Sequence, residues 1–299
     1  MTTPLIVALC ADKNIEVGLH VTLYSLLENT SDFLKIYLVQ SGYQERDIKR
    51  LHRTLQPFNG QYELILKSFD VQVFKPYKGI QGNKFTWVRL MLASLLPESR
   101  VIYLDSDLLV RKDLGPLFRQ DLDGHVLGVS GMGSVKWSLE KNFFVSLGMN
   151  QAAKYFNAGV MLMDLDQWRQ KDITKACMDF ADQHPNQLGA ADQTVLNYIF
   201  YENNFLEVDP TYNHALYPDT PSLAANASGY IFHFVGSPKP WDILGERVHS
   251  NYRLFAETLR KTEFRSCKTY LHLTPYRQKR SIRLAKSYFK YLRRKWLRA

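Results

Sequence analysis

Short apolar runs alternate with helical repeats through the first half of the chain, and this alternation restricts the fold more than any other feature. Leu5 to Cys10, Lys35 to Gln40, Tyr62 to Leu66 and Arg100 to Leu104 each read as a strand. Between them, Gly18 to Leu27 places Leu19, Leu23, Leu26 and Leu27 on one face of a helix. Gln44 to Leu55 and Lys84 to Leu95 read as further helices, the second stopped by Pro97. Such a series folds as a mostly parallel sheet covered by helices, because parallel neighbours need a crossover connection. Val126 to Val129, the run ending Asn157 to Asp164, and Ile231 to Phe234 read as later strands, with helices at Ile173 to Gln183 and Gln193 to Tyr201. Tyr212 to Ser228, rich in Pro, Asn, Ser and Ala, reads as a loop or flap.

Open α/β sheets bind ligands beyond the carboxyl ends of their strands, so the polar residues that close each apolar run are the candidate site. The chief one is Asp105-Ser106-Asp107, set between Val101 to Leu104 and Leu108 to Val110. Two desolvated carboxylates this close repel unless a cation joins them. Their oxygens suit Mg²⁺ or Mn²⁺, ions that bridge a protein to a diphosphate. A solvated turn with a helix N-cap is the competing use. Asp12 and Asn14 follow the first strand and either read a base edge or cap a turn. Arg89 is a phosphate or carboxylate clamp, or a surface ion pair. His233, inside Ile-Phe-His-Phe-Val, is a core histidine or a ligand, with Gly236 and Lys239 following at phosphate-binding distance. Asp192 opens a helix, where capping competes with a site role.

The 299 residues are 45% hydrophobic and 22% charged, enough for one or two domains with a buried core. No apolar stretch approaches the roughly twenty residues of a membrane span, and Met1 to Ile6 lacks the basic start of a signal peptide. Cys10, Cys177 and Cys267 form no disulfide or metal pattern and fit a reducing compartment. Ten of the 38 basic residues and none of the 29 acidic ones lie in 276–299, leaving 28 basic against 29 acidic elsewhere. A body near neutrality with a basic tail argues against a nucleic-acid-binding body and for an appended electrostatic anchor. In that tail Ile282, Ala285, Phe289, Leu292 and Trp296 recur every three or four residues, widened by Tyr288 and Tyr291 and flanked by Lys and Arg. A basic amphipathic helix of this kind lies in the plane of an anionic membrane surface; a solvated, disordered tail is the competing reading. The expected division is a catalytic domain over 1–262 and a membrane-associating segment over 263–299.

Six segments, in order, carry a family resemblance: Ala11-Asp12-Lys13-Asn14, Thr86-Trp-Val-Arg89-Leu90, Tyr103-Leu-Asp105-Ser-Asp107, Tyr155-Phe-Asn157-Ala-Gly159, Asp192-Gln193, and His233-Phe-Val-Gly236-Ser-Pro-Lys239-Pro-Trp241. Together the chain resembles glycosyltransferase family 8, in particular the bacterial lipopolysaccharide and lipooligosaccharide galactosyl- and glucosyltransferases. The resemblance implies an α/β GT-A fold, Rossmann-like in its nucleotide-sugar-binding part, and a donor that is UDP-galactose or UDP-glucose. It also implies Mn²⁺, with Mg²⁺ as the alternative, retention at the anomeric carbon, and a saccharide or lipid-linked saccharide acceptor. Carried over residue by residue, Asp12 and Asn14 hold uracil, and Asp105, Asp107 and His233 bind the metal. Gly236 and Lys239 hold the diphosphate. Arg89, Ser106, Asn157, Ala158, Asp192 and Gln193 belong to the donor sugar and the reacting face. Relatives place an acidic residue where Met132 falls, in the sugar and acceptor region, and Ala191 precedes Asp192 here. With the tail, the resemblance implies a cytoplasmic enzyme, peripheral on the inner face of the cell membrane.

Departure of UDP leaves negative charge on the β-phosphate, which a metal and Lys239 stabilise. Retention then needs front-face attack, with Gln193 beside the reacting face and the departing phosphate as base, or a covalent intermediate on Asp192. Two rivals remain at this level. Seventeen tyrosines allow a glycogenin-like enzyme that glucosylates itself. The tail allows a non-enzymatic membrane or nucleic-acid tether.

Overall fold

The computed structural model describes residues 3–80, 83–202, 204–265 and 275–297. The strands are β1 (Leu5–Asp12), β2 (Leu34–Ser41), β3 (Tyr62–Ser68), β4 (Arg100–Leu104), β5 (Leu108–Arg111), β6 (Leu127–Val129), β7 (Met132–Ser134), β8 (Lys154–Phe156), β9 (Val160–Asp164), β10 (Leu206–Glu207), β11 (His214–Ala215) and β12 (Tyr230–His233). Seven of them form the central sheet, in the order β10-β6-β9-β4-β1-β2-β3. β3, β2, β1 and β4 run parallel, as does β10 beside β6. β9 runs antiparallel between β4 and β6. The sheet is thus mostly parallel, as the alternation of strand and helix signals requires.

Both faces of the sheet are covered, which is why its strands are continuous apolar runs rather than alternating ones. Leu5, Val7 and Leu9 of β1 point to one buried cluster with Ile36 and Leu38, while Ile6 and Ala8 point to the other with Tyr37 and Val39. The helix Glu16–Asn29 is buried from Glu16 to Leu27, so it is more than an amphipathic cover. Leu19, Leu23, Leu26 and Leu27 meet the central sheet. Its opposite side meets a second sheet, β11-β12-β5, through Val17 and Val21. Thr22 Oγ1 donates to Leu108 O (2.9 Å) and accepts from Leu108 N, and Ser25 Oγ accepts from Val110 N (2.9 Å). Two hydroxyls thereby satisfy the otherwise unpaired edge of β5.

Three stretches differ from the sequence reading. Tyr212 to Ser228 is not all loop: Pro210–Asn213 is a 3₁₀ helix and His214–Ala215 is β11, paired with β12. Lys84 to Leu95 is not one α-helix: Phe85–Met91 is a 3₁₀ helix and only Leu92–Leu95 is α. Phe85, Trp87, Val88, Arg89 and Leu90 are all buried, and aromatic and β-branched residues weaken the α state there. β5 is a strand of its own. It pairs antiparallel with β12, His233 opposite Leu108, which carries a residue more than a hundred positions downstream to the Asp-Ser-Asp turn.

The tail forms the helices Pro275–Arg283 and Ala285–Trp296. Ile282, Phe289 and Trp296 are exposed by 70% or more, but Tyr288 turns inward and is buried rather than widening the stripe. Arg294 pairs with Asp219 and Lys295 Nζ donates to Arg247 O. Among the described residues, no helix is long and apolar enough to cross a membrane. The chain joining body and tail runs through 266–274, outside the described residues.

Candidate active site

β4 ends at Leu104, and the N–H of Asp105 donates to Gly159 O (2.8 Å), just before β9. The turn then enters β5, so Asp107 lies beside the end of β12, and Phe234 N donates to Asp107 O (3.1 Å). His233 Nε2 sits 3.2 Å from Asp107 Oδ1 and 3.9 Å from Asp105 Oδ2. One donor atom from each of these three residues falls within 4.8 Å of the others.

The far side of the imidazole defines its tautomer. His233 Nδ1 is 2.9 Å from Asn213 Oδ1, while Asn213 Nδ2 donates to Asn157 Oδ1 (3.0 Å). That orientation of the amide places the histidine proton on Nδ1 and leaves the Nε2 lone pair facing the carboxylates. Asp107 Oδ1, sealed from solvent, then has no hydrogen-bond donor. A buried anionic oxygen opposite an imidazole lone pair is a site that a divalent cation satisfies, so the three residues fit the metal expected from the sequence. Lys239 Nζ contacts Asp107 Oδ2 and Phe234 O, both at 2.5 Å. Burial raises the Asp107 carboxyl, yet the Lys239 ammonium beside it holds it well below the usual range. Gly236, at φ +76°, makes the turn between His233 and Lys239 in a conformation that favours glycine.

These groups open onto a cavity of about 400 Å³, a size suited to a small ligand. Asp12 and Asn14 also line it. Asp12 accepts from the Asn14 backbone (2.9 Å) and from Asn14 Nδ2 (3.1 Å), and burial raises its carboxyl. Arg89 also reaches the cavity, but it is a buried clamp rather than a surface ion pair. Its guanidinium meets Asp105 Oδ1 (3.2 Å), Asp192 Oδ2 (2.8 Å) and Ala158 O (2.6 Å), with the Tyr103 ring 4.7 Å below. Tyr103 OH donates to the same Asp105 Oδ1 (2.6 Å).

Asp192, Ser106 and Ala158 do not line the cavity. Asp192 has no solvent exposure. Ala191 precedes it at φ +53°, and its carboxylate lies on Arg89, where burial raises its pKa. Ser106 is buried, its carbonyl packed over Gly18, and Ala158 acts through its backbone. Gln193 does line the cavity, with its amide fixed at both ends. Gln193 Oε1 accepts from Asn157 Nδ2 (3.2 Å) and Ala158 N (3.1 Å), and Nε2 donates to Tyr155 OH (2.9 Å). Asn213 was hidden in a segment of turn-like composition, and Tyr155 carried no signal beyond its place two residues before Asn157.

Residues 6–245 match the family described as Glycosyl transferase family 8. The chain belongs to this family. It is 27% identical over 243 residues to glycosyltransferase GlyF of Streptococcus pneumoniae serotype 4, covering 79% of this chain. It spans only 57% of GlyF, a little over half of that relative's length. It is 24% identical over 260 residues to the lipopolysaccharide 1,3-galactosyltransferase of Salmonella typhimurium, covering 83% of this chain and 76% of that one. The crystal structure of the galactosyltransferase LgtC, solved with donor and acceptor sugar analogs, superposes with a TM-score of 0.73. That superposition covers 88% of this chain and 99% of LgtC at 22% identity, a likeness of fold. The family 8 chain is therefore a glycosyltransferase of GT-A fold.

Proposed function

We propose that this chain moves galactose or glucose from its UDP donor to a saccharide of lipopolysaccharide or lipooligosaccharide type, retaining configuration to give an α-linkage. The observation that carries the reading is the convergence of Asp105, Asp107, His233 and Lys239 on one cavity in a family 8 chain. Asp12 and Asn14 face the uracil end, and Gly236 and Lys239 the diphosphate. Asp105, Asp107 and His233 would hold Mn²⁺, or Mg²⁺ in its place, and the ion would draw charge from the leaving diphosphate. A mixed carboxylate and imidazole set favours Mn²⁺ over Ca²⁺. Lys239 adds a fixed positive charge where the β-phosphate becomes more negative.

The fixed amide of Gln193 lies at the reacting face as a positioning group and is a poor nucleophile. Asp192, sealed behind Arg89, offers no open carboxylate to the anomeric carbon. Both features support front-face attack, in which the departing phosphate takes the proton of the acceptor hydroxyl. The exposed stripe of Ile282, Phe289 and Trp296, with its basic flanks, supports docking on the anionic inner face of the cell membrane, where a lipid-linked acceptor is presented.

The test is UDP release across a panel of UDP-sugars with and without Mn²⁺, followed by linkage analysis of the product. Turnover with neither UDP-galactose nor UDP-glucose, and no Mn²⁺-dependent UDP binding, would overturn the reading. Within it, Gln193→Ala slows turnover by roughly ten- to a thousand-fold without abolishing it, as expected for one positioning group. Intact-protein mass spectrometry during turnover finds no hexose on Asp192; a trapped adduct there would establish double displacement instead.

A further inference from the structure

The basic tail has an inner face as well as an outer one. Arg280 sits with Nε 2.8 Å from Asp242 Oδ1 and 3.0 Å from Oδ2, and its Nη2 donates to Ser237 Oγ (3.2 Å). Both charged side chains are almost covered. Asp242 Oδ2 also accepts the backbone N–H of Lys239 at 2.7 Å, and Lys239 Nζ lies on Asp107. A chain of three contacts through four residues thus runs from the tail helix into the metal site. Tyr288, one helix further on, is buried on the same side. Arg277 and Arg280 line the very cavity that holds Asp105, Asp107, His233 and Lys239. Both lie beyond residues 6–245, the part that matches the family.

We infer that the tail helix completes the donor site. Arg280 is a positioning residue that holds Asp242, and through it the Lys239 loop, in place. Arg277, on the same helix, adds positive charge to the cavity wall, whereas the charge of Arg280 is balanced by Asp242. The inference rests on the donor reading above and deepens it. The physical grounds are two. A nucleoside diphosphate carries more negative charge than Lys239 alone offsets, and a guanidinium recognises phosphate oxygens as a planar fork. In addition, the Arg280–Asp242 pair is buried, so removing one partner strands the other charge and frees the loop that carries Lys239.

The two tail helices keep Ile282, Phe289 and Trp296 outward, so the inner and outer faces can be separated by substitution. The experiment uses the full chain. UDP affinity is measured by calorimetry in Mn²⁺, uridine affinity by competition, and membrane binding by co-sedimentation with phosphatidylglycerol vesicles. Arg280→Ala and Arg277→Gln are each expected to weaken UDP about tenfold or more and uridine much less, because the larger loss falls on the diphosphate. Arg280→Lys recovers part of the loss, and the donor KM rises more than kcat falls. Phe289→Asp combined with Trp296→Asp does the reverse, losing vesicles and keeping UDP. Wild-type UDP affinity in both arginine variants would overturn the inference. So would equal loss of UDP and uridine in Arg280→Ala, which would mark a general collapse. A wild-type chain that binds no UDP in Mn²⁺ would instead fail the donor reading itself.

Discussion

Asp107→Asn is expected to lower turnover by about a thousand-fold or more and to remove Mn²⁺-dependent UDP binding, with the fold retained. The substitution keeps size and shape and deletes one charge. That charge does two things at once. Its Oδ1 faces the Nε2 lone pair of His233, and its Oδ2 holds Lys239. A neutral amide cannot join Asp105 in neutralising a divalent ion, and it can present an N–H where the metal needs an acceptor. It also replaces the ion pair with Lys239, largely buried, by a hydrogen bond to a neutral amide, which removes the charge that offsets the ammonium there. The lost stabilisation of leaving-group charge is of the size measured for single charge-stabilising groups, about 3–4 kcal/mol, and loss of the metal adds to it. Circular dichroism and thermal unfolding separate this from misfolding, and near-normal turnover in the variant would remove the metal assignment.

Much of the fold was legible because it is local. The periodicity of Leu5 to Cys10, Lys35 to Gln40 and Arg100 to Leu104 located β1, β2 and β4 to within two residues, and Ile173–Gln183 is the helix the pattern predicts. What was not legible is non-local or disguised. Leu108 to Arg111 looked like the continuation of one apolar run, yet it is a strand whose partner lies at Tyr230–His233, and no periodicity encodes that register. The metal triad was nonetheless reachable from residue type, since Asp105, Asp107 and His233 carry the right chemistry wherever the chain brings them. Asn213 was not, because an Asn in a Pro- and Ser-rich segment has the composition of a turn. Its role appears only once β11 pairs with β12 and sets it behind the imidazole. Arg89 shows the converse. A helical signal left it either a carboxylate or phosphate clamp or a surface ion pair, and the structure turns it inward as a clamp between Asp105 and Asp192. The tail was read for its outer stripe alone, because amphipathic spacing reveals an apolar face and says nothing of which arginine finds an aspartate.

Gly159→Ala is expected to lower Mn²⁺-dependent UDP affinity by about ten- to a hundred-fold, the range seen when support around a metal ligand is lost. Nothing in Asn157-Ala-Gly159 names the reason; the packing does. A methyl on Gly159 would stand 2.4 Å from His233 Cε1, 2.7 Å from Nδ1 and 2.9 Å from Asn157 Oδ1. None of these neighbours is free to give. The imidazole is held by Asn213, and Asn157 Oδ1 accepts from both Gly159 N and Asn213. Nor can the backbone at 159 retreat, because its carbonyl accepts the N–H of Asp105. Relief therefore comes either by turning His233 off the site or by moving Asp105, and each breaks the triad. Overpacking of this kind also costs about 1–3 kcal/mol of stability, visible as a lower unfolding temperature. Gly133→Ala is the control: its nearest neighbour would be Tyr155 O at 3.6 Å, an ordinary contact, so metal-dependent UDP affinity stays within about twofold of wild type. Asn213→Ala, which removes the acceptor for Nδ1–H without adding bulk, should weaken UDP binding in the same direction as Gly159→Ala. Wild-type affinity in both Gly159→Ala and Asn213→Ala would mean that His233 does not hold the metal, whatever Asp107 does.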